Sequence, residues 1–326
     1  MGEGLRGRIG RTQSMEEIGC IFCNHSSSQI VIEEGGYQCR KCSICGLIYV
    51  SPMPPFSEIQ KLYSSDRAHL PAEARIQGFY GKRPRAIHHL RIIKKFISNG
   101  SLLEIGPGAG SFLYEARRKG FEVLGIELNR IQANFIRNRL GISCEESSLD
   151  GPSFDGKKFD IIYSEDVISH FYDPMEELNK IHNRLKDNGF FIFETGNLGD
   201  VREKYFRLFP TFQLPEHLFF FGEKNLKELL KRTGFEFVEI YKYSKLPLLL
   251  IAKSLKNAMD LFATREEKAH LKKDRISLSK NNRFRFSSLM RNAYHYFSYF
   301  VLYKIGYLMP KKGRPQSLFV IAQKRK

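Results

Sequence analysis

Residues 102–110 read Leu-Leu-Glu-Ile-Gly-Pro-Gly-Ala-Gly, an apolar run that breaks into glycines at alternate positions. The run reads as a buried strand, and the glycines as a tight loop into a helix from about Ser111 to Lys119. Glycines at Gly106, Gly108 and Gly110 let backbone approach a ligand where a Cβ would block it. The helix start behind them offers unpaired N–H groups and the positive end of its dipole. By itself such a loop suits several kinds of ligand, or merely turns a corner. Its neighbours decide between them.

Short apolar runs alternate with amphipathic stretches on either side. Strands are expected at 101–105, 121–127, 142–145, 159–164, 190–195, 235–241 and 317–323, and helices at 111–119, 129–140, 175–185 and 225–233. That alternation predicts an α/β fold, a Rossmann-like doubly wound seven-stranded sheet covered on both faces. Ligands of such sheets lie at the carboxyl ends of the strands. Acids gather there: Glu104, Glu127, Asp150, Ser164-Glu165-Asp166 and Glu194. Like charges around one crevice are costly unless a cation or hydrogen-bond donors occupy it. A dinucleotide loop would follow G-x-G-x-x-G, and here the third glycine comes one residue early. A pyrophosphate would also sit badly beside Glu104.

Charge and cysteines divide the chain further. The net charge is +17, yet residues 245–326 hold 19 Lys and Arg against 4 Asp and Glu, so the basic character belongs to a C-terminal arm. Cys20-x-x-Cys23 and Cys42-x-x-Cys45-Gly46 form two knuckles suited to a tetrahedral thiolate site for structural Zn²⁺, with Cys39 as an alternative register and a spare thiol. The expected layout is an unstructured 1–14, a zinc-ribbon-like module over 15–55, a helical linker over 56–100, a core over 101–244, a basic amphipathic helical insertion over 245–315, and a final strand and tail over 316–326. Met1 and Met15 are both admissible starts. In the linker, Pro84 is expected to open a helix that presents Ile87, Leu90, Ile93, Phe96 and Ile97, with His88 and His89 on its surface. No apolar run reaches membrane-span length and no signal-peptide pattern opens the chain, so a cytoplasmic location is expected.

In order, these segments resemble the class I S-adenosylmethionine-dependent methyltransferases of the bacterial type that carries an N-terminal zinc ribbon. The resemblance runs through Cys42 to Tyr49, Pro52 and Leu62-Tyr63, then Leu102 to Gly110 and Gly125-Ile126-Glu127-Leu128. It continues through Phe154-Asp155-Gly156, Phe159-Asp160, Asp166 to His170, Leu185 to Gly189, Glu194 to Asn197, and Pro215-Glu216-His217-Leu218 to Phe235. It implies an antiparallel last strand, and S-adenosylmethionine as the donor, whose cationic amine and sulfonium suit an acidic rim. By the same resemblance Gly106, Gly108 and Gly110 pass beneath the methionine and ribose portions, with Glu104 near the amine. Glu127 accepts the ribose hydroxyls, Leu128 and Leu149 flank the adenine, Asp150 meets its amine, and Ser164 and Glu165 line the methionine side.

Methyl transfer to a hydroxyl or carbon needs a base, and the candidates are His170, after the fourth core strand, and the pair Glu216-His217 in an aromatic lid. The Glu-His-Leu triplet is similar to that of zinc-containing sugar C-methyltransferases, which carry a tyrosine two residues before the glutamate; Leu214 stands there in this chain. The expected acceptor is a small molecule, a sugar nucleotide or a lipid-linked glycan. The arm places Leu248, Ile251, Leu255, Ala258, Met259 and Phe262 at helical spacing, then a Lys/Arg-rich middle, then a stripe of Tyr296, Tyr299, Tyr303 and Tyr307 beside Phe297, Phe300 and Val301. Two readings of it stay open: a peripheral contact of residues 246–312 with an anionic membrane, at its inner face, or a helical cap packed on the core. An RNA methyltransferase, and a non-catalytic membrane-docking relative, are the alternative functions; the confinement of positive charge to the arm disfavours nucleic acid.

Overall fold

The computed structural model describes residues 14–64, 66, 70–151, 156–262 and 288–325, side chains at 64, 255–262 and 288 excepted. Expectations for residues 1–13, Phe154-Asp155, the side chains of Leu255, Ala258, Met259 and Phe262, and the Lys/Arg-rich middle of the arm lie outside those residues. A small N-terminal sheet begins with β1 (Ile30–Glu34), β2 (Tyr37–Lys41) and β3 (Ile48–Val50), followed by helices α1 (Phe56–Ser64), α2 (Ala72–Gln77) and α3 (Phe79–Ile93). The core then alternates: β4 (Gly100–Ile105), α4 (Ser111–Arg118), β5 (Phe121–Ile126), α5 (Arg130–Leu140), β6 (Cys144–Glu145), β7 (Phe159–Glu165), α6 (Pro174–Arg184) and β8 (Leu185–Gly196). After it come β9 (Phe219–Phe220), α7 (Glu223–Arg232), β10 (Phe235–Ser244), α8 (Leu246–Phe262), α9 (Ser288–Tyr299) and β11 (Gln316–Lys324).

The large sheet has the order β10-β11-β8-β7-β4-β5-β6. β4, β5, β6, β7 and β8 are mutually parallel, and β11 runs antiparallel between β8 and β10, as the family resemblance implied. Its central strands are apolar on both faces: Leu102, Leu103, Ile161, Ile162, Ile192 and Phe193 are all inaccessible to solvent. Helix starts are built from local chemistry. Asn129 caps α5 by accepting from the Ile131 and Gln132 N–H groups, and Asp173 caps α6 with Pro174 in its first turn. Two corrections concern lengths. β6 is only two residues long, and β8 starts at Leu185 because that residue pairs with Phe159.

The linker departs more from expectation. α3 starts at Phe79, five residues before Pro84, which lies inside the helix. Phe79 anchors that start: it is buried, meets Tyr114 and Phe135 edge-on, and its carbonyl accepts from Ser111 Oγ. His88 and His89 are not surface residues. His89 is fully buried and stacks on Phe319 at 4.4 Å, and His88 Nε2 lies 2.8 Å from Tyr243 Oη.

The N-terminal sheet is closed by a strand from the far end of the core, in the order β1-β2-β3-β9. Ile48 pairs with Phe220 and Tyr49 with Phe219, so the lid before β9 is stitched to the N-terminal module. Glu34 strengthens the join by accepting from Phe212 N at 2.8 Å, Leu214 N at 3.1 Å and Thr211 Oγ1 at 2.8 Å. In the insertion, α9 continues through a wide-turned helical segment (Phe300–Ile305) and a last turn (Gly306–Leu308). α9 packs on α3 at two glycines: a Cβ on Gly81 would lie 2.6 Å from the Asn292 carbonyl, and one on Gly78 2.7 Å from His295 Nε2. Among the described residues no helix is long and apolar enough to cross a membrane.

Candidate active site

The strand ends bring the predicted acids to one rim, but they are not equivalent. Glu165 and Glu194, at the ends of β7 and β8, are taken by a cation from the chain itself. Arg85 of α3 donates from Nη1 to Glu165 Oε1 at 2.7 Å and from Nη2 to Glu194 Oε1 at 3.1 Å, and its Nε donates to Tyr303 Oη at 2.6 Å. Tyr303 in turn donates to Glu194 Oε2 at 2.6 Å, Ser317 Oγ donates to Glu194 Oε1, and His89 Nε2 lies 2.9 Å from Glu194 Oε2. Tyr163 Oη closes the network on His89 Nδ1 at 2.7 Å. Burial opposes the charge on Glu194, yet Arg85 and His89 hold its carboxyl well below the usual range. His89, Glu165 and Glu194 form a three-donor cluster within 4.8 Å, but the Arg85 guanidinium already bonds both carboxylates there.

None of Arg85, His89 and Tyr303 was identified from sequence as a site residue. A signal existed: Lys82, Arg85 and His89 follow one another at i, i+3 and i+7 on one helix face, opposite a rim of acids that needed cations. Tyr303 is the buried inner residue of the tyrosine stripe, which sequence divided between membrane contact and capping. It packs on the core, as the capping reading expects, and its hydroxyl enters the site. His295 of α9 faces the same region; burial, with the nearby charges of Lys82 and Arg85, pushes it down to about 4.

Glu104 has no such partner. It is buried and its Oε2 accepts no hydrogen bond, so burial, reinforced by the charge of Glu165, raises its carboxyl well above the usual range. Ser164, also inaccessible, has an unpartnered Oγ and pairs with Ile105, one residue along the strand from Glu104. Gly106, Gly108 and Gly110 all have positive φ, at 67°, 58° and 76°. A Cβ on Gly106 would strike Val167 Cγ2 at 2.9 Å, so the glycine loop and the segment after β7 lie in contact. Glu127 is tied to the loop by accepting from Gly108 N at 3.0 Å and Asn129 N at 2.9 Å. Burial raises its carboxyl despite those two donors. A carboxylate offers about four acceptor positions, so both oxygens keep capacity for hydroxyls.

The adenine-side expectations separate. Leu149 is buried, Leu128 is half-exposed at 47%, and Asp150 turns outward to pair with Lys180 Nζ at 2.8 Å. Glu165 faces Arg85 more than open space.

The three candidate bases come together. His170 and His217 have ring centroids 4.5 Å apart, and Glu216 between them in the fold is buried. His170 Nδ1 lies 2.7 Å from the Glu216 carbonyl and His217 Nδ1 lies 2.9 Å from the Phe212 carbonyl. A carbonyl only accepts, so both rings carry hydrogen on Nδ1 and keep Nε2 as the basic nitrogen. Sequence reasoning missed Tyr63, whose Oη lies 2.8 Å from His170 Nδ1. Burial and the charge of Glu216 push its phenol above the usual range. The Tyr63 carbonyl accepts from Asn129 Nδ2 at 3.5 Å, which links the histidine pair to the rim that holds Glu127.

Away from the rim, the sulfurs of Cys20, Cys23, Cys42 and Cys45 all lie within 4.8 Å of one another, and Cys39 is buried outside that set. Four thiols gathered so closely fit a tetrahedral divalent ion, for which Zn–S bonds near 2.3 Å put sulfurs roughly 3.8 Å apart. Cys20 Sγ and Cys45 Sγ are 3.4 Å apart.

A family model described as a methyltransferase domain matches residues 77–240. The chain is 30% identical over 103 residues to the ubiquinone biosynthesis O-methyltransferase of Ruegeria pomeroyi, covering 29% of this chain and 41% of that protein. It is 25% identical over 169 residues to the malonyl-[acyl-carrier protein] O-methyltransferase of Calditerrivibrio nitroreducens, covering 44% of this chain and 66% of that protein. The chain thus spans less than two thirds of the length of either relative. Among solved structures, phosphoethanolamine N-methyltransferase 2 of Haemonchus contortus in complex with S-adenosyl-L-methionine is similar with a TM-score of 0.44 at 18% identity, over 73% of this chain and 52% of that one.

Because Glu194 is inaccessible and shared by four donors, its removal strands Arg85 and His89. Glu194→Ala is expected to cost about 3–5 kcal/mol, read from the denaturant midpoint. A loss under about 1 kcal/mol means that the network does not hold the rim.

Proposed function

The chain belongs to the methyltransferase-domain family whose model spans residues 77–240, and on that premise we propose that it moves a methyl group from S-adenosylmethionine to a hydroxyl or carbon of a small molecule. The observation that carries the reading is Glu104, a buried carboxyl with an unpartnered oxygen behind a cradle of positive-φ glycines. S-adenosylmethionine, when bound, supplies an electrophilic methyl on a sulfonium that is already a good leaving group. Glu104 would accept from its ammonium and Glu127 from its ribose hydroxyls. The backbone of Gly106, Gly108 and Gly110 would admit it where side chains would not.

Proton bookkeeping follows from Glu104. Between about pH 4.5 and its raised value, the folded carboxyl keeps a proton that the unfolded chain has released, so stability falls as pH rises through that window. A cation beside the carboxyl favours its ionised form. Donor binding therefore expels the proton, and affinity rises with pH.

His170 and His217 serve as the base pair in this reading, each offering Nε2, with Tyr63 and the Glu216 carbonyl holding His170 in orientation. A base is needed for a hydroxyl or carbon acid, and the two curated relatives are O-methyltransferases by name. A sugar nucleotide or lipid-linked glycan is the acceptor class we favour, on the similarity of Glu216-His217-Leu218 to sugar C-methyltransferases. Leu214 departs from their tyrosine, and in this chain Tyr63 of the linker brings a phenol to His170. The four-cysteine cluster is proposed to hold a structural zinc ion, which would brace β1 to β3 and, through Glu34 and β9, the lid that carries His217.

Two outcomes test this reading. Methyl transfer from radiolabelled donor to cell-envelope sugar fractions should fall at least about a hundredfold in His217→Asn; unchanged transfer removes His217 from the chemistry. Purified protein should contain one zinc per chain, and chelation should lower Tm by roughly 10 °C or more. Protein without zinc and with an unchanged Tm on chelation would rule the metal out.

A further inference from the structure

The helical run from α9 to Leu308 buries Val301, Leu302 and Tyr303 on the core, yet leaves a second apolar face in solvent. Polar side chains also tie its inner face down: Asn292 donates from Nδ2 to the Gln77 carbonyl at 3.1 Å and accepts from Gly81 N at 2.5 Å, while Tyr303 enters the Arg85 network. Its outward residues are apolar. Leu289 is 79% exposed, Phe297 48%, Phe300 56% and Leu308 82%, with Tyr296 and Tyr307 alongside at 51% and 56%. These positions recur at helical spacing and form one stripe. At about 1.5 Å per residue the run is roughly 30 Å long. Exposed apolar area of this extent marks a surface that something covers.

The charge beside the stripe says what. Where the run ends, Lys311 lies over the Tyr307 ring at 5.6 Å and donates to the Tyr307 carbonyl. Lys311 also lines a cleft of about 900 Å³ between α7, β10 and the start of β11. Seven basic side chains and three acidic ones line that cleft. Lys227 and Lys242 pair with Glu223, whereas Lys224, Lys231, Lys311 and Lys312 form no ion pair with any described residue. A cleft rich in unpaired lysines takes phosphate groups, and the adjoining tyrosine- and phenylalanine-rich stripe suits the boundary between headgroups and acyl chains. A second copy seated on the stripe would bring two such clefts together, at an electrostatic cost.

We propose that the outward face from α9 to Leu308, together with the adjoining lysine cleft, is a docking surface for an anionic phospholipid bilayer. One helix thickness, about 10 Å, then separates the bilayer from Tyr303 and the rim of the site. The docking claim stands on the surface alone and does not rest on methyl transfer.

The test is sedimentation of the full chain with vesicles of phosphatidylcholine alone, or with a third of phosphatidylglycerol, at low and high salt. Each lysine near an anionic leaflet strengthens binding about fivefold. Wild type should therefore bind the anionic vesicles at least about a hundredfold more tightly than neutral ones, with the gain reduced by salt. Lys224→Glu/Lys231→Glu/Lys312→Glu should abolish that gain. Phe297→Ser/Phe300→Ser/Leu308→Ser, at solvent-exposed positions, should cut binding at least about tenfold without changing Tm. Equal binding to both vesicle types overturns the proposal. So does full binding by the serine variant, or a wild-type dimer that the serine variant converts to monomer with no vesicle binding by either.

Discussion

The architecture turns on one half-buried cation, Arg85. Parallel strands that end together inevitably gather whatever polar residues terminate them, and in this chain those residues are acids. Arg85 makes the arrangement tolerable by standing between Glu165 and Glu194 and bonding both. Breaking such a pair costs far more than forming it yields, because a charge without its partner is left in a poor solvent. The consequence reaches across the molecule. α3 must lie over the carboxyl ends to deliver Arg85 and His89, and the insertion must fold back to deliver Tyr303. A segment inserted between β10 and β11 is thereby locked to the functional rim.

That internal pairing also sorts the acids by role. Glu165, Glu194 and, at 4.0 Å, Asp166 face Arg85, and Asp150 faces Lys180, which leaves Glu104 and Glu127 behind and beside the glycine loop. Glu104 keeps an oxygen without a partner, at a depth where an unpaired polar atom costs free energy. A buried group left in that condition is a request for a ligand. The chain's own basic residues occupy the other half of the rim, so the proposed donor amine has one place to go. The lid side is organised with equal economy: backbone carbonyls fix His170 and His217 in one tautomer, and a strand shared with the N-terminal sheet holds the lid in place.

Much of this was legible from residues alone. Short apolar runs separated by capped, amphipathic stretches identify the sheet, and their order fits because burial on both faces leaves no room for other patterns. The glycine loop, Glu104, Glu127 and the paired knuckles were legible for the same reason: each needs particular residue types at fixed local spacing. What escaped depended on contacts between distant segments. Arg85 and Tyr303 are 218 residues apart, and a helix face of cations is ordinarily a solvated one. His89 looked like surface because nothing near it in sequence foretells Glu194 or Tyr163. Pro84 suggested a helix start, but the packing of Phe79 fixes the start earlier. Asp150, an acid in a turn, went to the nearest lysine.

The central claim is that Glu104 is the anchor for the donor's ammonium, and it has a direct readout. Calorimetric titration of S-adenosylmethionine into the protein near pH 7, in buffers of different ionisation enthalpy, reports protons exchanged on binding. The account predicts one donor bound per chain with net release of protons, affinity that rises with pH, and loss of both effects in Glu104→Gln with at least about tenfold weaker binding. Binding without proton release, or a Glu104→Gln variant that binds as wild type does, would contradict it.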